Sequence, residues 1–109
     1  MEKEIEIIWA PRAQKQADLA ITYCLTQFGR TIARKFVNKL EKDNLRIKNN
    51  PFIGVVEPAF DNRTKQYRSL IEGYYKIIYT IENDYLIQVV LLWDCRQDPD
   101  KLKQSIRQI

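Results

Sequence analysis

Apolar and polar residues alternate over the last third of the chain, Tyr67–Leu102. A period of two is the spacing of residues on one face of a β-strand. Glu72-Gly73 and Asn83-Asp84 interrupt the alternation, and both pairs suit tight hairpin turns. The pattern therefore predicts a meander of three antiparallel strands.

The middle and last strands of this meander share a predicted face that is uniformly apolar. Its members are Tyr75, Ile77, Tyr79 and Ile81 in the middle strand, and Ile87, Val89, Leu91 and Trp93 in the last strand. The opposite face is mixed and includes Tyr74 and Lys76, which is typical of an antiparallel sheet with one face open to solvent. We expect the apolar face to carry the core, with Tyr75 and Tyr79 as packing residues rather than catalytic groups.

Upstream, between residues 11 and 49, apolar residues recur every three or four positions, which is the period of an amphipathic helix. The two stripes consist of Ala13, Ala17, Ala20, Ile21, Cys24, Leu25 and Phe28, and of Ile32, Phe36, Val37, Leu40 and Ile47. Pro11 suits the first turn of one helix and Gly29 its end, while Thr31 can cap the next helix. The pattern predicts an antiparallel helical hairpin.

Three shorter segments complete the predicted fold. Glu4–Trp9 alternates imperfectly and is expected to form a first strand. Residues 50–64 contain two prolines and a glycine, and they predict a long connection whose apolar residues pack down. Asp98-Pro99 predicts the start of a short final helix. The order β-α-α-β-β-β-α indicates one α+β domain over residues 1–109, with the helical hairpin on one face of a mainly antiparallel sheet.

Composition limits the chemistry that this fold can carry. The chain of 109 residues has no histidine and only two cysteines, Cys24 and Cys95, so we expect neither a disulfide framework nor a structural zinc site. The sequence shows no apolar run near the ~20 residues that span a bilayer and no secretory signal pattern. We therefore expect a cytoplasmic protein without a metal or cofactor. Its net charge of +4 suits an acidic or polyanionic partner.

Three basic residues in or next to the meander are candidates for holding a phosphate group: Arg68, Lys76 and Arg96. Each also has a structural interpretation. Lys76 could be a solvated strand residue, and the two arginines could form ion pairs, Arg68 with Glu57 or Asp61 and Arg96 with Asp94 or Asp98.

Three motifs in this region occur in a distinctive order. They are Tyr67-Arg68-x-Leu70, then Gly73-Tyr74-Tyr75-Lys76-Ile77-Ile78-Tyr79, then Arg96-Gln97-Asp98-Pro99. The second is similar to the Gly-x-Tyr-Arg-x-x-Tyr hairpin of the RelE/ParE superfamily, the toxins of bacterial type II toxin–antitoxin modules. The third is similar to the Arg-x-Asp-Pro ending of ParE-like members, and Trp9-x-Pro11 before a helical hairpin fits as well. The whole chain thus resembles this superfamily, and it is more ParE-like than RelE-like.

The resemblance implies a toxin of a plasmid stabilisation system, neutralised in a hetero-oligomer by a cognate antitoxin that wraps around it. Two activities occur in the superfamily. RelE-like members are endoribonucleases that cut messenger RNA on the ribosome, whereas ParE-like members inhibit DNA gyrase by binding it. An acidic or amphipathic antitoxin segment is expected to lie as a helix or strand against the helical hairpin and an exposed sheet edge.

The residues help to choose between these activities. In the nuclease alternative the catalytic residues would be Lys76, Arg96 and Arg68, the last only if strand pairing brings it across from Lys76. RNA cleavage also needs a proton donor, and the RelE-like site relies on a tyrosine in the terminal segment. Here the matching position is Leu102, and no tyrosine follows Arg96. The sequence therefore favours a binding inhibitor of gyrase or another essential target, although a degenerate member that binds only its antitoxin stays open.

Overall fold

The computed structural model of the chain describes residues 4–60 and 65–106. Its elements follow the predicted order, with one short strand added in the connection after the helical hairpin. They are β1 (Glu6–Trp9), α1 (Pro11–Phe28), α2 (Arg30–Asn49), β2 (Val55–Val56), one turn of 3-10 helix (Pro58–Phe60), β3 (Tyr67–Glu72), β4 (Tyr75–Asn83), β5 (Leu86–Asp94) and α3 (Pro99–Ile106).

The strands form one sheet in the order β1-β5-β4-β3-β2. β1 pairs with β5 in parallel and every other pair is antiparallel, which confirms the predicted mainly antiparallel sheet. Within residues 4–60 and 65–106, no helix is both long enough and apolar enough to cross a membrane.

The helical hairpin packs on one face of the sheet, as predicted. α1 contributes three small buried residues at helical spacing, Ala13, Ala17 and Ala20, so its backbone can lie close to the strands. The rest of this first core consists of Leu40, Ile47, Leu70, Ile77, Tyr79, Ile87, Val89 and Leu92. Gly29 alone joins the two helices, and it can do so because glycine readily adopts a positive φ, here 87°. The predicted side-chain cap from Thr31 does not form, since α2 already begins at Arg30.

The second face of the sheet differs from the sequence prediction. It was expected to be mixed and open, but it carries a second core of Tyr67, Ile78, Val90, Leu91, Trp93 and Leu102. α3 covers this face through Leu102, which is 5% exposed. Arg12 secures the end of α3, since its guanidinium donates a hydrogen bond of 2.9 Å to the carbonyl of Ser105, where the helix dipole is negative.

A β-bulge in β5 explains why the predicted apolar face was wrong. Ile78 pairs with Leu91 and Tyr79 pairs with Val89, so Val90 is an extra residue in β5. The bulge shifts the phase by one position, and the residues after it change faces. Ile87 and Val89 therefore join the first core, whereas Leu91 and Trp93 join the second core.

Both hairpin turns lie one residue later than predicted. Glu72 pairs with Tyr75, so Gly73 and Tyr74 form the first turn, and Gly73 adopts a φ of 59°. In the second hairpin, Asp84 and Tyr85 form the turn, and the side-chain oxygen of Asn83 accepts a hydrogen bond of 2.8 Å from the backbone N–H of Tyr85. This bond is the local device by which asparagine favours a turn.

The buried hydroxyl of Tyr79 holds the connection between α2 and β2 against the sheet. It donates a hydrogen bond of 2.6 Å to the carbonyl of Pro51 and accepts one of 2.9 Å from the N–H of Gly54. Glycine is required at position 54, because an added Cβ would lie 2.8 Å from that hydroxyl and 2.9 Å from the carbonyl oxygen of Ser69. Tyr79 is therefore a packing residue with a structural hydrogen bond at its tip.

Replacing Tyr79 with phenylalanine should destabilise the fold, because two buried backbone groups would lose their partner. We expect a loss of about 1–3 kcal/mol in the free energy of unfolding, measured by urea denaturation. Tyr74→Phe is the matched control, since Tyr74 is 65% exposed, and it should change stability by less than about 0.5 kcal/mol. Equal effects of the two substitutions would contradict the assigned role of the Tyr79 hydroxyl.

Candidate functional site

The three basic candidates do not converge on one site. Residues directly opposite each other in neighbouring strands lie on the same face of a sheet. Arg68 pairs with Tyr79, which belongs to the first core, whereas Lys76 pairs with Trp93, which belongs to the second core. Arg68 and Lys76 therefore lie on opposite faces, and the condition on which Arg68 entered the nuclease site is not met.

Lys76 is held in an ion pair with a buried acid. Its Nζ lies 3.2 Å from Oε2 of Glu57, and the Glu57 side chain is only 4% exposed. The interpretation of Lys76 as a freely solvated strand residue is thus wrong. The pair ties the segment before the 3-10 turn to β4.

Arg96 lies beyond the end of β5 and forms a two-pronged ion pair with Asp94. The distances are 2.8 Å from Nη2 to Oδ2 and 3.0 Å from Nε to Oδ1. Hydrogen bonding to Arg96 holds the pKa of Asp94 below its ordinary value. The guanidinium also lies over the ring of Tyr74, with its carbon 4.9 Å from the ring centre. The predicted pairing of Arg96 with Asp94 is confirmed.

Arg68 is engaged with the connection rather than with an acid. Its guanidinium donates hydrogen bonds of 2.8 Å to the carbonyl of Gly54 and 3.2 Å to Oε1 of Gln66, and it lies over the ring of Phe52. The proposed pair with Glu57 does not form, because Glu57 binds Lys76. The other proposed partner, Asp61, lies outside the described residues.

Tyrosines are the candidate proton donors near two of these cations, Arg68 and Arg96. The chain has no histidine, and burial raises the pKa of both Tyr75 and Tyr79, which makes each phenol a weaker proton donor. In the part of the chain that the structure describes, no three potential metal-ligating residues cluster. The arrangement offers positive charge at separate points on the surface.

A groove between the helical hairpin and the β3–β4 turn is the more distinctive surface. It has a volume of about 370 Å³. Its walls include Tyr23, Phe28 and Ile32 from the helices and Tyr74 from the turn, all of which are 43–65% exposed. Exposed apolar residues grouped in this way are typical of an interaction site.

Charged residues line the same groove. Lys35 and Lys39 of α2 contribute positive charge, Arg96 is paired with Asp94, and Glu72 of β3 is the acid among the lining residues. We refer to this surface, with its apolar wall, as the aromatic groove. Its balance of charge suits a ligand with an apolar face and acidic flanks.

Most of the aromatic groove is not evident from the sequence. Phe28 and Ile32 belong to the predicted core stripes of the two helices, yet they are 62% and 43% exposed. These residues flank the inter-helix joint at Gly29, beyond the core formed by α1 alanines and Leu40. The sequence feature that could have indicated their exposure is that large apolar residues stand on both sides of Gly29, the glycine that ends α1.

The comparison with protein families decides the identity of this fold. A family model described as the ParE toxin of the type II toxin–antitoxin system parDE matches residues 7–99. The chain belongs to the ParE toxin family. Its resemblance to the ParE-like branch, inferred from the hairpin motif and the Arg96-x-Asp98-Pro99 ending, is thereby confirmed.

A solved structure gives an independent view of the fold. A chain described as the chromosomal ParDE TA system from P. aeruginosa is similar to this ParE-family chain with a TM-score of 0.65. The two are 15% identical, and the match covers 82% of this chain and 94% of that chain. At this level of identity the likeness concerns the fold. No curated protein matches the sequence.

Replacing Lys76 with methionine should destabilise the fold, because the Glu57 carboxylate would stay buried without its partner. We expect a loss of about 1–3 kcal/mol in the free energy of unfolding at pH 7. Lys65→Met is the control, since the Lys65–Glu82 pair is largely exposed on the lysine side and should contribute less than about 1 kcal/mol. If adding Glu57→Gln to Lys76→Met recovers no stability, the buried charge is not the cause.

Proposed function

We propose that this ParE-family toxin inhibits growth by binding DNA gyrase, without catalysing a reaction, and that a cognate antitoxin neutralises it in a hetero-oligomer. The main support for this proposal is the contrast between the predicted catalytic cations and the aromatic groove. The predicted catalytic cations are dispersed and engaged, whereas the aromatic groove offers exposed apolar side chains beside positive charge.

The nuclease alternative has less support in the geometry. A nuclease would need a proton donor beside its phosphate-binding cations. Leu102, at the position matching the tyrosine of the RelE-like site, points from α3 into the second core and is buried there. The face that carries Lys76 is therefore filled with apolar side chains next to the cation.

The aromatic groove fits an amphipathic helix of an antitoxin. An apolar stripe on such a helix would pack against Phe28, Ile32 and Tyr74, and acidic residues beside the stripe would meet Lys35 and Lys39. The P. aeruginosa structure is described as a ParDE TA system, which supports the pairing with an antitoxin. The edge strand β2, with Val55 67% exposed, offers a second place for an extended segment.

Expression of the chain without an antitoxin tests the proposed activity. Growth should stop, and supercoiling of a reporter plasmid should fall while messenger RNAs stay intact. Purified chain should also inhibit supercoiling by purified gyrase. Cleavage of messages on ribosomes would establish the nuclease alternative instead, and unimpaired growth at confirmed expression would indicate a degenerate toxin.

Ile32→Glu should weaken antitoxin binding, because it places a carboxylate in the apolar wall of the aromatic groove. We expect an increase in Kd of roughly thirtyfold, about 2 kcal/mol, by calorimetry with the antitoxin encoded beside this chain. Leu45→Glu is the matched control on α2, since Leu45 is 58% exposed and does not line the groove. An unchanged Kd for Ile32→Glu would place the antitoxin elsewhere.

A further inference from the structure

A buried acid lies between the second helix and the sheet. Asp43 of α2 is 2% exposed in a helix whose charged residues otherwise face solvent or the groove. Its Oδ1 accepts a hydrogen bond of 3.1 Å from Nη1 of Arg46. Its Oδ2 is fully buried and has no hydrogen-bond donor among the described residues. An unsatisfied carboxylate oxygen in such a place is costly.

The neighbour of this acid is a second carboxyl group. Glu72, at the end of β3, lines the groove together with Lys39, which lies one helical turn before Asp43, and its carboxylate is close enough to raise the pKa of Asp43. Two ionised carboxylates cannot hydrogen-bond to each other, because both are acceptors only. One proton between them supplies the missing donor and also removes one of the two like charges.

The surroundings of the pair favour the protonated form. Burial and, next, the contact with Glu72 raise the pKa of Asp43 to about 6, and Arg46 opposes this without cancelling it. The charged groups that act on Asp43 are thus Glu72 from β3 and Arg46 from its own helix. On the side of β1, the nearby indole N–H of Trp9 is used by Asn44, to which it donates a hydrogen bond of 3.1 Å.

We propose that Asp43 and Glu72 share one proton, and that this proton makes the packing of α2 on the sheet sensitive to pH. Glu72 also lines the aromatic groove, so the pair lies at that end of the groove. The inference concerns the isolated chain, and it stands independently of the proposed action on gyrase.

The direction of the pH effect follows from the two states. The folded protein binds this proton more tightly than the unfolded chain, in which Asp43 has its ordinary pKa of 3.8. The stabilisation is therefore fully present below about pH 4 and is lost as the pH rises through about 6. Between pH 5.5 and 7.5 the unfolding equilibrium constant should increase by about fourfold through this pair.

Substitutions with matched amides test the shared proton. Asp43→Asn keeps an acceptor for Arg46 and gives Glu72 a permanent donor, so it should lower the unfolding constant at pH 7.5 by roughly tenfold and abolish the fourfold pH effect. Glu72→Gln should act in the same way. The double variant should gain no further stability, because either amide alone removes the repulsion.

Glu41→Gln is the control, since Glu41 is an exposed acid on the same helix, and it should retain the wild-type pH dependence. A direct readout on the wild-type chain is the carboxyl carbon shift of Asp43, which should titrate near pH 6 by NMR. Titration of Asp43 below about pH 4.5, or a pH dependence that persists in Asp43→Asn, would overturn the proposal.

Discussion

The strand β5 supplies side chains to the cores on both faces of the sheet, and the rest of the structure depends on which of its residues lie on each face. A regular strand presents alternate residues to one face, so a run such as Val89–Trp93 cannot be sorted by period alone. The bulge at Val90 divides the run, with Ile87 and Val89 under the helical hairpin and Leu91 and Trp93 under α3. The second face of the sheet must therefore be covered, and α3 supplies that cover.

Covering the second face determines what the cations can do. Lys76 lies beside Trp93 on a face filled with apolar side chains, where an ion pair with Glu57 compensates its charge. Arg68 is on the opposite face and supports the connection through the carbonyl of Gly54. Lys76 and Arg68 thus both make contacts that hold the connection after α2 to the sheet. At the aromatic groove, the same packing leaves Tyr23, Phe28, Ile32 and Tyr74 exposed side by side.

The features that could be predicted from the sequence are those set by local chemistry. Pro11 and Gly29 mark the ends of α1, and the Asp98 carboxylate caps α3 by accepting a hydrogen bond of 3.0 Å from the N–H of Asp100. The bulge, the strand β2 and the docking of α3 depend on contacts between distant segments, such as Arg12 with Ser105, which no local pattern encodes. Arg96 was identified from the sequence as a candidate cation, but the helical period assigned the apolar wall of the groove to the core. Period alone cannot show that Phe28 and Ile32 lie beyond the first core.

The aromatic groove and the acid pair meet at Glu72, and this gives a physical reason for a buried acid at position 43. An apolar residue there would pack α2 on β3 without an electrostatic cost, as Leu40 and Ile47 do one turn away on either side. Asp43 instead makes that packing conditional on a proton held next to a binding surface. If the aromatic groove binds the antitoxin as proposed, the strength of that contact responds to charge placed at Glu72. A cationic side chain of a bound partner at Glu72 would offset the same like-charge repulsion that a proton on Asp43 removes.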